Sequence, residues 1–178
     1  MSEQLIKDCI DKTCNTDKQK HLLYKKLGIK YSTEKCPHTL ITLQIDENKL
    51  TDREKEEIGD FASLLSSYKW FKNNIYHFSL EYFSKEYPDG GNLHFHYLIK
   101  STNYTLCKTK IIRDCKSKFS TCIKTCNYQS SNSLEHYNNR LNYVLGSKRK
   151  AEKLVFSERD CVWRTQNNIL PYYTNAVE

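Results

Sequence analysis

The sequence predicts an α+β domain with a central antiparallel sheet, helices on one face of it and an active site on the other. Three observations lead to this prediction: stretches that alternate between polar and apolar residues, stretches with apolar residues at helical spacing, and a strong turn signal between two of the alternating stretches. The chain has 178 residues, which suits one domain with extensions rather than two full domains. Hydrophobic residues make up 38% of it and charged residues 28%, as in globular chains.

The strands and helices are expected to follow one another in the order β-α-β-β-α-β-α. Four stretches predict strands: 38–45, 75–83, 93–100 and 121–128. Three predict helices: 52–68, 104–119 and 133–145. A capping box at Thr51–Glu54 marks the first helix start, and Gly146 is the expected end of the last helix. The sequence Pro88-Asp89-Gly90-Gly91 predicts the turn of a hairpin between the second and third strands.

This order is that of a split βαβ core, the ferredoxin-like arrangement, with one sheet face free for a site. We assign residues 37–150 to this domain. Residues 1–36 are expected to form a polar N-terminal extension, and residues 151–178 a C-terminal segment that packs on the domain.

Charge and cysteine content indicate the setting in which the protein works. Lys and Arg number 28 against 21 Asp and Glu, and the net charge of +7 favours a polyanionic partner such as nucleic acid. No glycine-rich phosphate-binding motif is present, which excludes a nucleotide-driven motor within this chain. The first twenty residues lack an apolar run and no stretch is apolar enough to span a membrane, so we expect a protein that is not secreted, has no membrane partner and keeps its eight cysteines reduced.

The candidate site is a set of polar residues that alternation places on one sheet face. Residues 93–100 put His94 and His96 on the same face, and pairing of Tyr87 with Asn92 across the turn would put Glu81 there too. Two imidazoles and a carboxylate typically bind a divalent metal with open positions for substrate. Such a cation polarises a scissile phosphate and neutralises the charge of its transition state.

Two alternatives accompany this interpretation. Glu86 is a rival third ligand because it is nearer to His94 in sequence, although it falls on the wrong face without a β-bulge. The His-x-His pair could also be an ordinary surface or core pair with no metal.

The stretch Asn92-Leu93-His94-Phe95-His96-Tyr97-Leu98-Ile99 resembles the H-u-H motif (u, an apolar residue) of rolling-circle replication initiators. These HUH endonucleases are encoded by small single-stranded DNA viruses, plasmids and some transposons. His38-Thr39-Leu40-Ile41-Thr42 is similar to the strand motif that precedes the metal motif in that family. The segment from Arg140 to Lys148 occupies the place of the family's Y-x-x-K motif. It departs from that motif because Lys148 stands five residues after Tyr143, and Gly146 is where the lysine is expected.

The resemblance implies a metal-dependent endonuclease and strand transferase that acts on single-stranded DNA at a replication origin. Tyr143 would be the nucleophile, forming a covalent 5′-phosphotyrosine and leaving a free 3′-hydroxyl that starts rolling-circle replication. His94, His96 and Glu81 would hold Mg²⁺ or Mn²⁺, and Lys148 would position the phosphate or the leaving group.

The resemblance also sets expectations for the protein's surroundings. A helicase domain would be separate from this chain or removed from it, and the protein would act in the host nucleus for a virus of a eukaryote and in the cytoplasm otherwise. The oligomeric state stays open. The alternatives are a single-tyrosine transposase and a non-catalytic nucleic-acid-binding domain, in which Tyr143 is a core aromatic beside Leu141 and Val144.

Overall fold

The computed structural model describes residues 3–14, 16–29, 35–147 and 151–177. The strands are β1 (Lys35–Ile45), β2 (Ile75–Glu81), β3 (His94–Lys100), β4 (Ile123–Ser133) and β5 (Tyr173–Thr174). The helices are α1 (Glu3–Thr13), α2 (Asp17–Lys26), α3 (Asp52–Glu56), α4 (Ile58–Ala62), α5 (Lys69–Lys72), α6 (Lys108–Lys118), α7 (Leu134–Val144) and α8 (Ala151–Gln166). None of these helices is long and apolar enough to cross a membrane.

The strands form one antiparallel sheet in the order β4-β1-β3-β2-β5. The first four strands and the helices between them follow the β-α-β-β-α-β order of a split βαβ core, in which β1 lies between β3 and β4, and β2 lies on the far side of β3. The predicted α+β fold with an antiparallel sheet is therefore confirmed.

The main core lies between one sheet face and the helices that connect the strands. Alternate residues of β1, β2 and β3, such as Leu43, Phe78 and Phe95, face Trp70 of α5 and Phe119, which directly follows α6. Phe95 and Phe119 meet edge to face with ring centroids 5.9 Å apart. This apolar layer fixes which residues of the central strands point to the opposite, more polar face.

Helix α7 lies on that opposite face, where the sequence predicts an open surface. Its residues Tyr137 and Val144 are buried against Cys36 and Leu98, which form a second, smaller core cluster. The sheet therefore carries helices on both faces. The polar side chains on this face, such as His77, Ser79 and His96, are therefore buried as well.

Three predicted boundaries change because local contacts override periodicity. The helix predicted over 52–68 is divided into α3, α4 and a 3₁₀ segment at Ser63–Ser67. The helix predicted over 104–119 begins at Lys108, because the Asn74 side chain accepts hydrogen bonds from the backbone amides of residues 102–104 and holds them as a loop. Strand β4 runs to Ser133 rather than stopping at residue 128, because its polar second half pairs with β1 through the backbone.

The C-terminal segment is attached to the end of β2 by helix α8. The Arg164 guanidinium donates a hydrogen bond of 2.8 Å to the Leu80 carbonyl. The buried Asp160 carboxylate accepts from the backbone amides of Tyr82 and Phe83 at 2.7 and 3.1 Å. These bonds join α8 to the loop that follows β2.

Candidate active site

The register of β2 and β3 brings Glu81 opposite His94 and Ser79 opposite His96. The predicted pairing of Tyr87 with Asn92 is wrong: the Asn92 amide instead donates to the Tyr82 carbonyl, and the intervening residues form a long loop. The predicted and observed pairings of β2 with β3 differ by an even number of residues, so each side chain lies on the same face of the sheet in both. Glu81 therefore lies on the same face as the two histidines.

Both histidines are oriented by hydrogen bonds at Nδ1. His94 Nδ1 lies 2.7 Å from the Asn92 carbonyl oxygen, so this nitrogen carries the proton and Nε2 has the free lone pair. His96 Nδ1 lies 3.1 Å from the Thr42 hydroxyl. The two rings are parallel with centroids 6.0 Å apart. The pKa of His94 is lowered, mainly by burial, so its imidazole is neutral at physiological pH.

Tyr143, on the last turn of α7, reaches this cluster through Glu81. Its hydroxyl donates a hydrogen bond of 3.2 Å to Glu81 Oε2, and the same oxygen lies 3.4 Å from His96 Nε2. The Tyr143 and His96 rings meet edge to face at 5.2 Å. Burial, reinforced by the negative charge of Glu81, raises the pKa of Tyr143 well above its ordinary value. The phenol is therefore neutral at physiological pH.

The donor set suits a divalent metal, although the side chains are not yet gathered around one point. Imidazoles held at Nδ1 by a carbonyl or a hydroxyl present Nε2 to a metal, and a carboxylate completes a common ligand set. Within the part of the chain that the structure describes, no group of three or more His, Cys, Asp and Glu side chains is arranged to hold a metal ion. Glu81 is engaged with Tyr143 and His96, and Glu86 is exposed in the loop after β2.

Lys148, the predicted positioning residue, belongs to residues 148–150, which lie outside the described residues. Gly146 ends α7 with a φ of 87°, a left-handed conformation that favours glycine. After this turn α8 returns toward the site, and Lys153 Nζ lies 5.4 Å from the centre of the Tyr143 ring. Lys153 is thus the lysine that the described part of the structure places close to the Tyr143 ring.

Sequence reasoning missed Lys153 and the residues that support the histidines. The position of Lys153 depends on how α8 packs on the domain, and the sequence spacing between Lys153 and Tyr143 does not show that the two residues are close in space. Thr42 and Gln44 could have been predicted from the sequence, because alternation along β1 places them on the same sheet face as the histidines. Gln44 donates to the Asn92 side chain at 3.0 Å and so supports the residue that orients His94.

The basic helix α6 lies away from this cluster. Its buried residues Ile111 and Cys115 belong to the main core, on the sheet face opposite to the histidines. The lysines and arginine along α6 therefore contribute to the general charge of the molecule rather than to the candidate site.

A cavity of about 560 Å³ opens beside Tyr143 and Glu81. Its other lining residues come from the loop after β2 and from the start of α8: Phe83, Ser84, Lys85, Lys153, Val155 and Phe156. The cavity is of the size of small-molecule sites, about 300–1,000 Å³.

Comparisons with protein-family models, with curated proteins and with solved structures found no match to this chain. The geometry of the site and the motifs of the sequence are therefore what a functional assignment depends on.

Proposed function

We propose that this protein is a metal-dependent endonuclease that nicks and joins single-stranded DNA, as the HUH replication initiators do. One observation carries the proposal: the Tyr143 hydroxyl lies 3.2 Å from Glu81, whose carboxylate is 3.4 Å from His96. Tyr143 and Glu81 are 62 positions apart along the chain. Residues selected from separate motifs of the family thus lie in one cluster, which supports their having a common role.

The proposed reaction is an attack by Tyr143 on the phosphorus of a phosphodiester. The tyrosine oxygen forms a bond to phosphorus, the bond from phosphorus to the 3′ oxygen breaks, and this oxygen takes up a proton from water and leaves as a 3′-hydroxyl. The phenol proton passes to Glu81, the acceptor it already faces. The product is a 5′-phosphotyrosine, and the energy of the phosphodiester is conserved for rejoining.

His94, His96 and Glu81 would hold the metal, Mg²⁺ or Mn²⁺, through imidazole Nε2 atoms and a carboxylate oxygen. A bound divalent metal would polarise the scissile phosphate and offset the charge that develops on it. Because burial and Glu81 raise the pKa of Tyr143, the phenol needs positive charge nearby before it ionises. Lys153, 5.4 Å from the ring centre, supplies part of that charge.

The substrate would be a single strand at a replication origin. Action in the nucleus would follow for a eukaryotic host. These assignments rest on the motif resemblance and on the net positive charge of the chain.

The test is a denaturing gel of a diverse pool of single-stranded oligonucleotides incubated with protein and Mn²⁺. We expect a slower protein–DNA band that is lost in Tyr143→Phe and on addition of a chelator. Tyr137→Phe is the matched control, since Tyr137 lies on the same helix but bonds to His77 instead. A covalent band that survives in Tyr143→Phe would refute the nucleophile assignment.

A second candidate is a nucleic-acid-binding domain without catalysis. It is favoured by the absence, among the described residues, of a side-chain group arranged to hold a metal. In that case no covalent band forms, and DNA binding is the same with chelator and in a variant that carries both His94→Ala and His96→Ala.

A further inference from the structure

We propose that the cavity beside Tyr143 binds one unpaired nucleobase of the DNA strand, next to the phosphodiester that Tyr143 attacks. Phe156 would stack on the base, and Lys85 and Lys153 would contact the adjoining backbone phosphates. The inference rests on the proposed function and adds to it three binding residues, Lys85, Lys153 and Phe156, that lie outside the motifs of the metal and nucleophile.

The walls of the cavity come from two segments that are distant in sequence. Phe83, Ser84 and Lys85 follow strand β2, and Lys153, Val155 and Phe156 lie on α8. Glu81 and Tyr143 also line the cavity, so a ligand bound there is in contact with the candidate nucleophile. The cavity is thus an extension of the candidate active site.

The two walls are held in place before any ligand arrives. Asp160 accepts from the amides of Tyr82 and Phe83, and the Trp163 ring stacks on Tyr82 with centroids 4.8 Å apart. Arg159 covers the Phe83 ring at 5.6 Å. A preformed site loses little conformational entropy on binding, which favours affinity for a flexible single strand.

The chemistry of the lining suits a nucleotide better than an apolar molecule or an acidic peptide. Phe156 is half-buried, and aromatic rings stack on the π face of any base. Lys85 and Lys153 are exposed at the rim, where their charge meets phosphate. An acidic peptide has no nucleobase to stack on Phe156, and a purely apolar ligand would not use the positive charges of Lys85 and Lys153.

The first test measures binding without catalysis. Fluorescein-labelled twelve-nucleotide oligothymidylate is titrated with each variant in excess chelator, and fluorescence anisotropy is recorded. We expect Phe156→Ala to bind about 5- to 140-fold more weakly than the wild type, the usual range for loss of one stacked base. Lys153→Ala should lower the dependence of log K on log salt by about 0.7 per lost phosphate contact.

Matched controls separate this site from general effects. Leu154→Ala changes an exposed apolar residue on the same helix that does not line the cavity, and Lys72→Ala removes an exposed lysine on α5. Both should bind as the wild type does. Phe156→Leu keeps an apolar side chain but has no aromatic face, so it should bind as weakly as Phe156→Ala while keeping its melting temperature. Equal binding by Phe156→Leu and wild type would overturn the stacking role.

The second test locates the base directly. Oligothymidylate with 5-iododeoxyuridine substituted along its length is irradiated in the complex, and the crosslinked peptide is identified by mass spectrometry. We expect crosslinks at Phe156 or Phe83. Crosslinks confined to α6 or to the other sheet face would overturn the inference.

The two proposals fail in different ways. If the covalent band forms but the cavity variants bind as the wild type does, the base site is wrong and the endonuclease stands. If no covalent band forms but Phe156→Leu weakens binding and the crosslink lies in the cavity, the base site stands and the catalytic proposal fails.

Discussion

Removal of the Tyr143 hydroxyl should destabilise the protein when no metal is present. The hydroxyl donates a hydrogen bond of 3.2 Å to Glu81, whose side chain is only 12% exposed. A hydrogen bond to a charged group contributes about 1.5–3 kcal/mol, and this one is longer than typical charge-assisted bonds, so we expect a loss of about 1–2 kcal/mol for Tyr143→Phe. That corresponds to a melting temperature lower by about 2–8 °C for a chain of this size.

The assay is urea unfolding of wild type and Tyr143→Phe at pH 7.5 in chelator, with circular dichroism as the signal. The phenol pKa is raised in the folded state above its ordinary 10.0, so the folded protein binds the proton more tightly than the unfolded chain. This contribution is fully present below pH 10 and is lost as the pH rises above it. The difference between the two proteins should therefore become smaller as the pH rises above 10. A variant as stable as the wild type at pH 7.5 would show that the bond to Glu81 is not formed in solution.

Three further predictions concern other parts of the molecule. Burial lowers the folded-state pKa of His38 and His77 below the ordinary 6.5. Because the unfolded chain then binds more protons than the folded protein, the free energy of unfolding should fall as the pH drops through 6.5. A variant with Gln at both positions should show a smaller fall between pH 7.5 and pH 5 in urea titrations. A hydrogen bond from Cys115 lowers the pKa of Cys126 to about 7. Iodoacetamide at pH 7 should therefore label Cys126 faster than the exposed Cys161, and the preference should be smaller at pH 9. Peptide mass spectrometry measures the two labelling rates, and equal rates at pH 7 would contradict the prediction. Phe95 is fully buried, and Phe95→Ala should cost about 3–5 kcal/mol in urea unfolding, whereas a cost below 1 kcal/mol would contradict its place in the core.

Several features of the fold followed from local chemistry that the sequence displays. The capping box at Thr51 is present as predicted, with the Thr51 and Glu54 side chains each accepting from the backbone of the other residue. Gly146 ends α7 because its positive φ suits a residue without Cβ. Alternation in β3 was sufficient to place His94 and His96 on one face, and Glu81 joins them because the predicted and observed pairings of β2 with β3 differ by an even number of residues.

Other features have no local signature. The second half of β4 is polar and lacks an alternating apolar pattern, and it is a strand because its backbone pairs with β1. Helix α8 and strand β5 were not predicted at all, and their place depends on contacts such as that of Arg164 with the Leu80 carbonyl. The sequence likewise predicted an uncovered face where α7 in fact packs.

The residues of the candidate site also differ in whether local sequence patterns predict them. The sequence was sufficient to assign the residue types that share the polar side of each strand, because strand periodicity acts over a few residues. Three features depend on tertiary packing: the contact of Tyr143 with Glu81, the position of Lys153 near the Tyr143 ring, and the cavity between α8 and the loop after β2. Those distances depend on how whole helices dock on the sheet, which is set by the burial of many side chains at once and not by the spacing of any motif.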